Sequence, residues 1–336
     1  MSEIRWFDVE SWGVEGKGWQ DTKAYYDRLP AKAEGVVRQP VWELSRHSAG
    51  MVVRFRTDAT TVRVRWGLTS ANLALAHMPS TGVSGVDLYA RDHEGKWRWV
   101  GVGIPTGQNA EAVIIQGLEP VSREFMLYLP LYNGVHRVEI GVNEEASFTP
   151  LAPREDKPIV FYGTSITHGA SASRPGMHHV GILGRRLDVP VINLGFSGNG
   201  IMEPEVAALL AELDPRVYVI DCLPNMSEQL VRERTVPLVQ TLRAARPTTP
   251  IVLVEDRSLA NSYFRPDVQR AHQGRRAALR AAFEQLQQAG MQDLYYVPGE
   301  ELFGTDGEGT VDSSHPTDLG FMRMAAALEP VLKPLL

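Results

Sequence analysis

Cysteine is almost absent from this chain. Cys222 is its single thiol in 336 residues, which excludes an internal disulfide framework. Long apolar runs are missing too, and no window approaches the roughly 20 uninterrupted apolar residues that span a bilayer. The opening Met1-Ser-Glu-Ile-Arg-Trp-Phe-Asp8 is mixed and polar, without the basic and then apolar stretches of a secretory leader, so a cytoplasmic location is expected. A large excess of one charge is also missing: 34 Lys and Arg against 40 Asp and Glu leave a formal charge of −6. That balance argues against nucleic acid or an anionic membrane as partner. Histidines are scattered, and the adjacent His178 and His179 diverge on a helix, so neither a metal nor a cofactor is expected. No internal repeat or low-complexity segment occurs. What remains is 43% hydrophobic and 22% charged, enough for a sizeable core, in a chain long enough for two domains.

The two halves follow different periods. Up to about residue 150, short runs alternate apolar and polar residues. Met51–Arg56, Thr61–Trp66, Val86–Ala90, Lys96–Val102, Phe125–Leu129 and His136–Val142 read as strands, several rich in β-branched and aromatic residues. Arginines alternating with valines in the second run predict one wet face and one buried face. His93-Glu-Gly-Lys96 and Tyr132-Asn-Gly-Val135 are turn signals, the Asn-Gly pair being the stronger. No useful helical period appears there, and an antiparallel β-sandwich is the consistent reading. Leu151 to Pro158, with two prolines and mixed charge, reads as a linker. Beyond it, Ile159–Tyr162, Val191–Leu194, Val217–Asp221, Ile251–Glu255 and Leu294–Val297 are short apolar runs separated by helical patterns. In one of these, Val268, Ala271, Leu279, Ala282, Phe283, Leu286 and Ala289 share a face before Gly290 stops the helix. Such alternation implies a parallel sheet covered on both faces, with ligands beyond the carboxyl ends of its strands.

Four loops at those ends carry chemistry. In Phe161-Tyr-Gly-Thr-Ser-Ile-Thr-His-Gly169 an apolar run stops at Gly163 and delivers Ser165 where backbone N–H groups favour a developing oxyanion. A helix cap is the alternative use of that serine. It is not the Gly-x-Ser-x-Gly elbow, because residue 167 is threonine. Asn193-Leu-Gly-Phe-Ser-Gly-Asn-Gly200 brings backbone close to a ligand, and Gly198 N–H is a candidate oxyanion donor; plain turn geometry or a phosphate cradle are the alternatives. Asn225 in Asp221-Cys-Leu-Pro-Asn-Met226 is either an amide donor at the same edge or a turn residue. Asp312-Ser-Ser-His-Pro316 offers a histidine that Asp312 can orient as a base, or a solvated polar turn, ahead of a helix beginning around Asp318. Convergence of all four on one sheet edge favours the catalytic reading.

This ordered set resembles the SGNH (GDSL-type) hydrolase superfamily, with Ser165, Gly198, Asn225 and His315 at the serine, glycine, asparagine and histidine positions and Asp312 in the Asp-x-x-His-Pro block. Gly85-Val-Asp-Leu-Tyr89 resembles the Gly-x-Asp-Leu-Tyr signature of a β-domain preceding one esterase branch. Thr164 stands where the family's aspartate precedes the serine, the Gly-x-Asn-Asp glycine is absent near Asn225, and Asp221 receives no catalytic role. The resemblance implies an α/β fold: a three-layer, flavodoxin-like parallel sheet over residues 151–336, preceded by an antiparallel, jelly-roll-like β-sandwich over 1–150. It implies a triad of Ser165, His315 and Asp312, and an oxyanion hole of Ser165 N–H, Gly198 N–H and the Asn225 amide. Similar enzymes act on short acyl esters of sugars, so the expected partner is a small-molecule or oligosaccharide ester. A lysophospholipase or thioesterase on the same residues is the alternative, and a non-catalytic carbohydrate-binding protein is the alternative of another class. Arg174, in the loop after the serine, is a candidate for a polar or anionic group of the substrate, or an ordinary surface arginine.

Overall fold

Alternation of valine with arginine builds the first half as expected. In the computed structural model, which describes residues 3–336, Val62, Val64 and Trp66 are buried while Arg63 and Arg65 turn outward to Glu111. Met1 and Ser2, the start of the expected first domain, lie outside the described residues. The chain forms two compact units. One comprises residues up to Ala31, Ser45–Glu155 and Ser173–Gly176; the other comprises Lys32–Leu44, Asp156–Ala172 and Met177–Leu336.

The first unit holds β1 (Ile4–Asp8), β2 (Val52–Thr57), β3 (Thr61–Leu68), β4 (Val86–Arg91) and β5 (Trp97–Gly103). These are followed by β6 (Asn109–Gln116), β7 (Arg123–Tyr128), β8 (Val135–Asn143) and β9 (Phe148–Leu151). They make two antiparallel sheets, β1-β8-β3-β6 and β5-β4-β7-β2-β9. One shared core closes the sandwich, with Phe55, Leu88 and Phe125 from one sheet and Val64, Trp66 and Ile140 from the other. The Trp66 indole N–H donates to Ser84 O at 2.9 Å, so even the largest buried ring leaves no polar atom unpaired.

Three details differ from the sequence reading. Strands β1, β6 and β9 are additional to the six runs read as strands and complete the sheets by pairing with β8, β3 and β2. Helices do occur: α1 (Gln39–Ser45), counted with the second unit as far as Leu44, and the single turn α2 (Ser80–Val83) are both too short for a periodic signal. The Asn133-Gly134 pair is not a hairpin turn, since β7 and β8 belong to different sheets. Asn133 is instead buried, accepting from Ser70 N–H and donating to Ser84 Oγ. His93–Lys96, by contrast, does join the paired strands β4 and β5.

The second unit holds β10 (Ile159–Gly163), α3 (Ser165–His168), α4 (His179–Leu187), β11 (Val191–Gly195) and α5 (Pro204–Glu212). Then come β12 (Val217–Asp221), α6 (Glu228–Ala245), β13 (Ile251–Val254), α7 (Pro266–Gln288), β14 (Leu294–Val297) and α8 (Asp318–Leu332). All five strands are parallel in the order β11-β10-β12-β13-β14, the flavodoxin-like arrangement, with β10 to β13 wholly buried. Helices α4 and α8 pack together, as do α5, α6 and α7, giving the two outer layers. Along α7, Leu279, Ala282 and Leu286 are buried as expected, but Ala271 and Ala289 are exposed and His272 takes an inward position. Gly290, at φ +82°, ends the helix in the left-handed conformation glycine tolerates. Among the described residues no helix is long and apolar enough to cross a membrane.

Candidate active site

Strand register aligns the loops. Gly163 at the end of β10 lies opposite Gly195 of β11 on one side and Asp221 of β12 on the other. Ser165, Gly198 and Asn225 therefore lie two, three and four residues beyond one common level. Thr164, in place of the family's aspartate, caps α3 by accepting from Ile166 N–H at 3.3 Å. Helix α3 is a single turn of four residues, so individual N–H groups matter there more than a summed dipole.

Ser165 is 7% exposed, and its Oγ lies 2.9 Å from His315 Nε2. On the other side of that ring, Nδ1 lies 2.7 Å from Asp312 Oδ2. The remaining Asp312 oxygen accepts from Ser314 N–H at 3.0 Å and His315 N–H at 2.8 Å. Partial burial works to raise the Asp312 carboxyl, but the bonds from His315 and Ser314 outweigh it and hold the group down at about 2. An ionised carboxylate only accepts, so Nδ1 must donate to it. That tautomer leaves Nε2 as an acceptor for the Ser165 hydroxyl proton. The loop is shaped for this: Ser313 sits at φ +74°, Val311 N–H donates to His315 O at 2.8 Å, and Thr317 caps α8. Helix α8 begins at Asp318, as the sequence predicts.

The Gly198 and Asn225 loops share a hydrogen bond, Gly200 N–H to Asn225 Oδ1 at 3.3 Å. With its oxygen engaged, the amide has its Nδ2–H₂ donor end for a ligand. Gly198 adopts φ +69° with open space around its Cα, so glycine here serves the turn and keeps the approach clear.

Arg174 is placed differently from a substrate-facing residue. Its Nη1 donates to the buried Asp87 at 2.7 Å and to Tyr89 Oη at 2.5 Å, and its guanidinium lies over the Trp99 ring. Asp87 also accepts from Gly176 N–H and Trp99 Nε1. The aspartate and tyrosine of Gly85-Val-Asp-Leu-Tyr89 thus bind the 173–176 segment within the first unit. His178 and His179 do not share a site; His179 is buried, stacked on Phe321 and edge-on to Phe161, and burial pushes its imidazole well below the usual range. Among the described residues no group of three His, Cys, Asp or Glu is disposed to hold a metal ion.

Sequence reasoning missed the supports beneath the serine turn. Asn193 Nδ2 donates to Thr167 O at 2.7 Å while its oxygen accepts from Gly195 N–H at 2.9 Å. Asp221 accepts from Thr167 Oγ1 at 3.2 Å and from Arg257 Nη2 at 2.7 Å. The available signal was polar residues ending or interrupting wholly apolar strands: Asn193 in β11 and Asp221 at the tip of β12.

A serine, histidine and aspartate in hydrogen-bond sequence, with Gly198 and Asn225 in the neighbouring loops at the same carboxyl edge of a flavodoxin-like sheet, form an arrangement suited to acyl transfer. The family profile described as GDSL-like Lipase/Acylhydrolase matches residues 156–333, and that of the N-terminus of SGNH-hydrolase-type esterases matches residues 4–148. The chain belongs to the GDSL-like lipase/acylhydrolase family and is a carboxylic ester hydrolase. Among solved structures, a protein of Bacteroides ovatus described as a GDSL-like lipase is 34% identical, with a TM-score of 0.94 over 99% of this chain and 98% of that one. A salicylyl-acyltransferase from a tetracycline biosynthetic pathway shares the fold at 18% identity, with a TM-score of 0.79 over 99% and 97%. An acetyl xylan esterase from Butyrivibrio proteoclasticus shares it at 10% identity, with a TM-score of 0.60 over 98% of each chain. No curated protein sequence matches the chain.

Proposed function

We propose that this hydrolase removes short acyl groups, acetyl foremost, from a carbohydrate ester through an acyl-enzyme on Ser165. The unbroken line from Asp312 through His315 to Ser165 carries the reading. As Ser165 Oγ attacks the ester carbonyl carbon, His315 Nε2 takes its proton, and Asp312 steadies the imidazolium. The carbonyl oxygen becomes an oxyanion held by Ser165 N–H, Gly198 N–H and Asn225 Nδ2. Collapse expels the alcohol, which takes the proton from His315. Water then repeats the attack on the acyl-serine, releasing the acid and restoring Ser165. Arg174 has no part in the scheme, since Asp87 and Tyr89 already engage its guanidinium. We infer that the domains run close to the expected 1–150 and 151–336, with β9 carrying the first to Leu151 and the hydrolytic residues all in the second.

The sugar part of the reading is supported by the shared fold of the Butyrivibrio acetyl xylan esterase. Turnover of p-nitrophenyl acetate against octanoate, with Ser165→Ala as control, tests the scheme. Acetate preference with loss of activity in Ser165→Ala is expected; undiminished activity in that variant sinks it, and equal use of octanoate moves the reading to a lysophospholipase or thioesterase. A panel of acetylated xylan, pectin and amino sugars then ranks alcohols. The fuller structural overlap with the salicylyl-acyltransferase favours a second reading, transfer of the acyl group to an alcohol instead of water. Product partition between acid and new ester, with an added alcohol acceptor, separates the two.

A further inference from the structure

The segment after β13 has no role in the scheme above, yet it leaves two neighbouring aromatic rings in water. Tyr263 is 80% exposed and Phe264 is 82% exposed, the highest values among the large hydrophobic residues described. Their ring centroids lie 5.1 Å apart at 85° on one short turn, Ser262–Phe264. This turn is not a loose tip. At its root, His272 Nε2 accepts from Leu259 N–H at 3.2 Å, and Arg276 donates to Asp256 O and to Ser258 Oγ. Exposed paired aromatics on a turn bonded at its base mark a binding surface, because folding otherwise buries such area.

Beside Tyr263 lies a cavity of about 250 Å³, whose lining includes Ser262, Gln269, Thr305, Glu300 and Phe303. Aromatic surface combined with hydroxyl, amide and carboxylate groups suits a ring that has C–H faces and a hydroxyl edge. It suits an acyl chain poorly, since the chain would leave those polar groups unpaired. The volume falls below the roughly 300–1,000 Å³ of drug-sized sites, which fits a single ring.

Two hydrogen-bonded paths join this cavity to the reacting groups. Ala260 N–H, on its wall, donates to Ser313 O at 2.9 Å, within the Asp312–His315 loop. Arg257, another lining residue, binds Asp221, which in turn holds Thr167 of the serine turn. We infer that Tyr263, Phe264 and this cavity form the seat of a pyranose ring in the alcohol portion of the ester, and so set substrate specificity. The inference rests on the esterase reading and adds to it the residues that recognise the sugar.

The test compares an acetylated xylo-oligosaccharide with p-nitrophenyl acetate in wild type and in the Tyr263→Ala/Phe264→Ala variant. The ratio of kcat/KM for the oligosaccharide to that for the small ester is expected to fall about tenfold, through KM, the size of effect one or two lost ring contacts produce. An unchanged ratio overturns the inference. So does a parallel fall in kcat on both substrates, which would mean that the turn merely props the His315 loop. A second arm needs no turnover: the oligosaccharide is titrated calorimetrically into Ser165→Ala, with and without the aromatic changes. Binding abolished by those changes supports the seat even where Ser165-dependent hydrolysis is missing, the result that defeats the esterase reading alone. Equal binding by both proteins overturns the seat.

Discussion

In the second unit the pairs Asp312–His315 and Asp256–His272 make nearly the same first bond. His315 Nδ1 is 2.7 Å from Asp312, and His272 Nδ1 is 2.6 Å from Asp256. The difference is at the other nitrogen. His315 Nε2 meets the Ser165 hydroxyl, whereas His272 Nε2 is taken by the Leu259 backbone N–H. Exposure follows the same division: the Asp312 and His315 side chains are 40% and 24% exposed, the Asp256 and His272 side chains 2% and 4%. An orienting carboxylate is thus common to a structural histidine and a candidate base. What distinguishes them is whether the second nitrogen faces a nucleophile or closes a backbone bond.

Substituting each histidine should break the comparison most visibly. His315→Ala should lower kcat on p-nitrophenyl acetate on the order of 10⁴–10⁶-fold while the thermal midpoint moves little. His272→Ala should do the reverse, leaving kcat near wild type and destabilising the fold by about 1–3 kcal/mol, because Asp256 and Leu259 N–H lose a buried partner. Steady-state kinetics and thermal unfolding of the two variants check both halves; a collapse of kcat in His272→Ala with the fold intact would erase the distinction.

The orienting carboxylates come next. Asp312→Asn lets His315 take the wrong tautomer and should cost on the order of 10⁴ in kcat. Asp256→Asn should register in the unfolding midpoint alone. Asn225→Ala tests the oxyanion side and should lower kcat about 100–1,000-fold with KM nearly constant, since its donor acts on charge present only in the transition state. A change confined to KM would make Asn225 a ground-state contact.

Asp312 and His315 were legible because they lie three residues apart in one polar loop, and Ser165 because an apolar strand delivers it. Parallel strands of continuous Ile, Val and Leu were legible for the same reason, with β12 and β14 found to the residue. Asp256 and His272 were not, because 16 residues and a helix start separate them. The helical period even put Ala271 inward where His272 is buried, an apolar pattern overridden by a buried hydrogen bond. Likewise Asn133-Gly134 carries a strong local turn signal, but its asparagine fills a long-range polar position that no local pattern records.

The smallest expected effect concerns a third carboxylate, the buried Asp221, and sharpens what a histidine partner contributes. Asp256, bonded to His272 and Arg275, is pushed up by burial but ends below its usual range. Asp221 is as deeply buried, but Arg257 and Thr167 offset less of that burial, and its carboxyl rises from 3.8 to about 6. Their linkage to stability therefore has opposite signs. The Asp256 contribution is present above the unfolded carboxyl range and is lost as pH falls through its depressed value. The Asp221 contribution is full below about pH 4 and is lost as pH rises through about 6, a span of at most about 3 kcal/mol. Thermal midpoints measured from pH 7 to pH 4 should show the gap between wild type and Asp221→Asn widening in acid. The gap for Asp256→Asn should stay level and then narrow at the acid end. Parallel curves for the two variants would mean that Arg257 stabilises the Asp221 carboxylate as well as His272 and Arg275 stabilise that of Asp256.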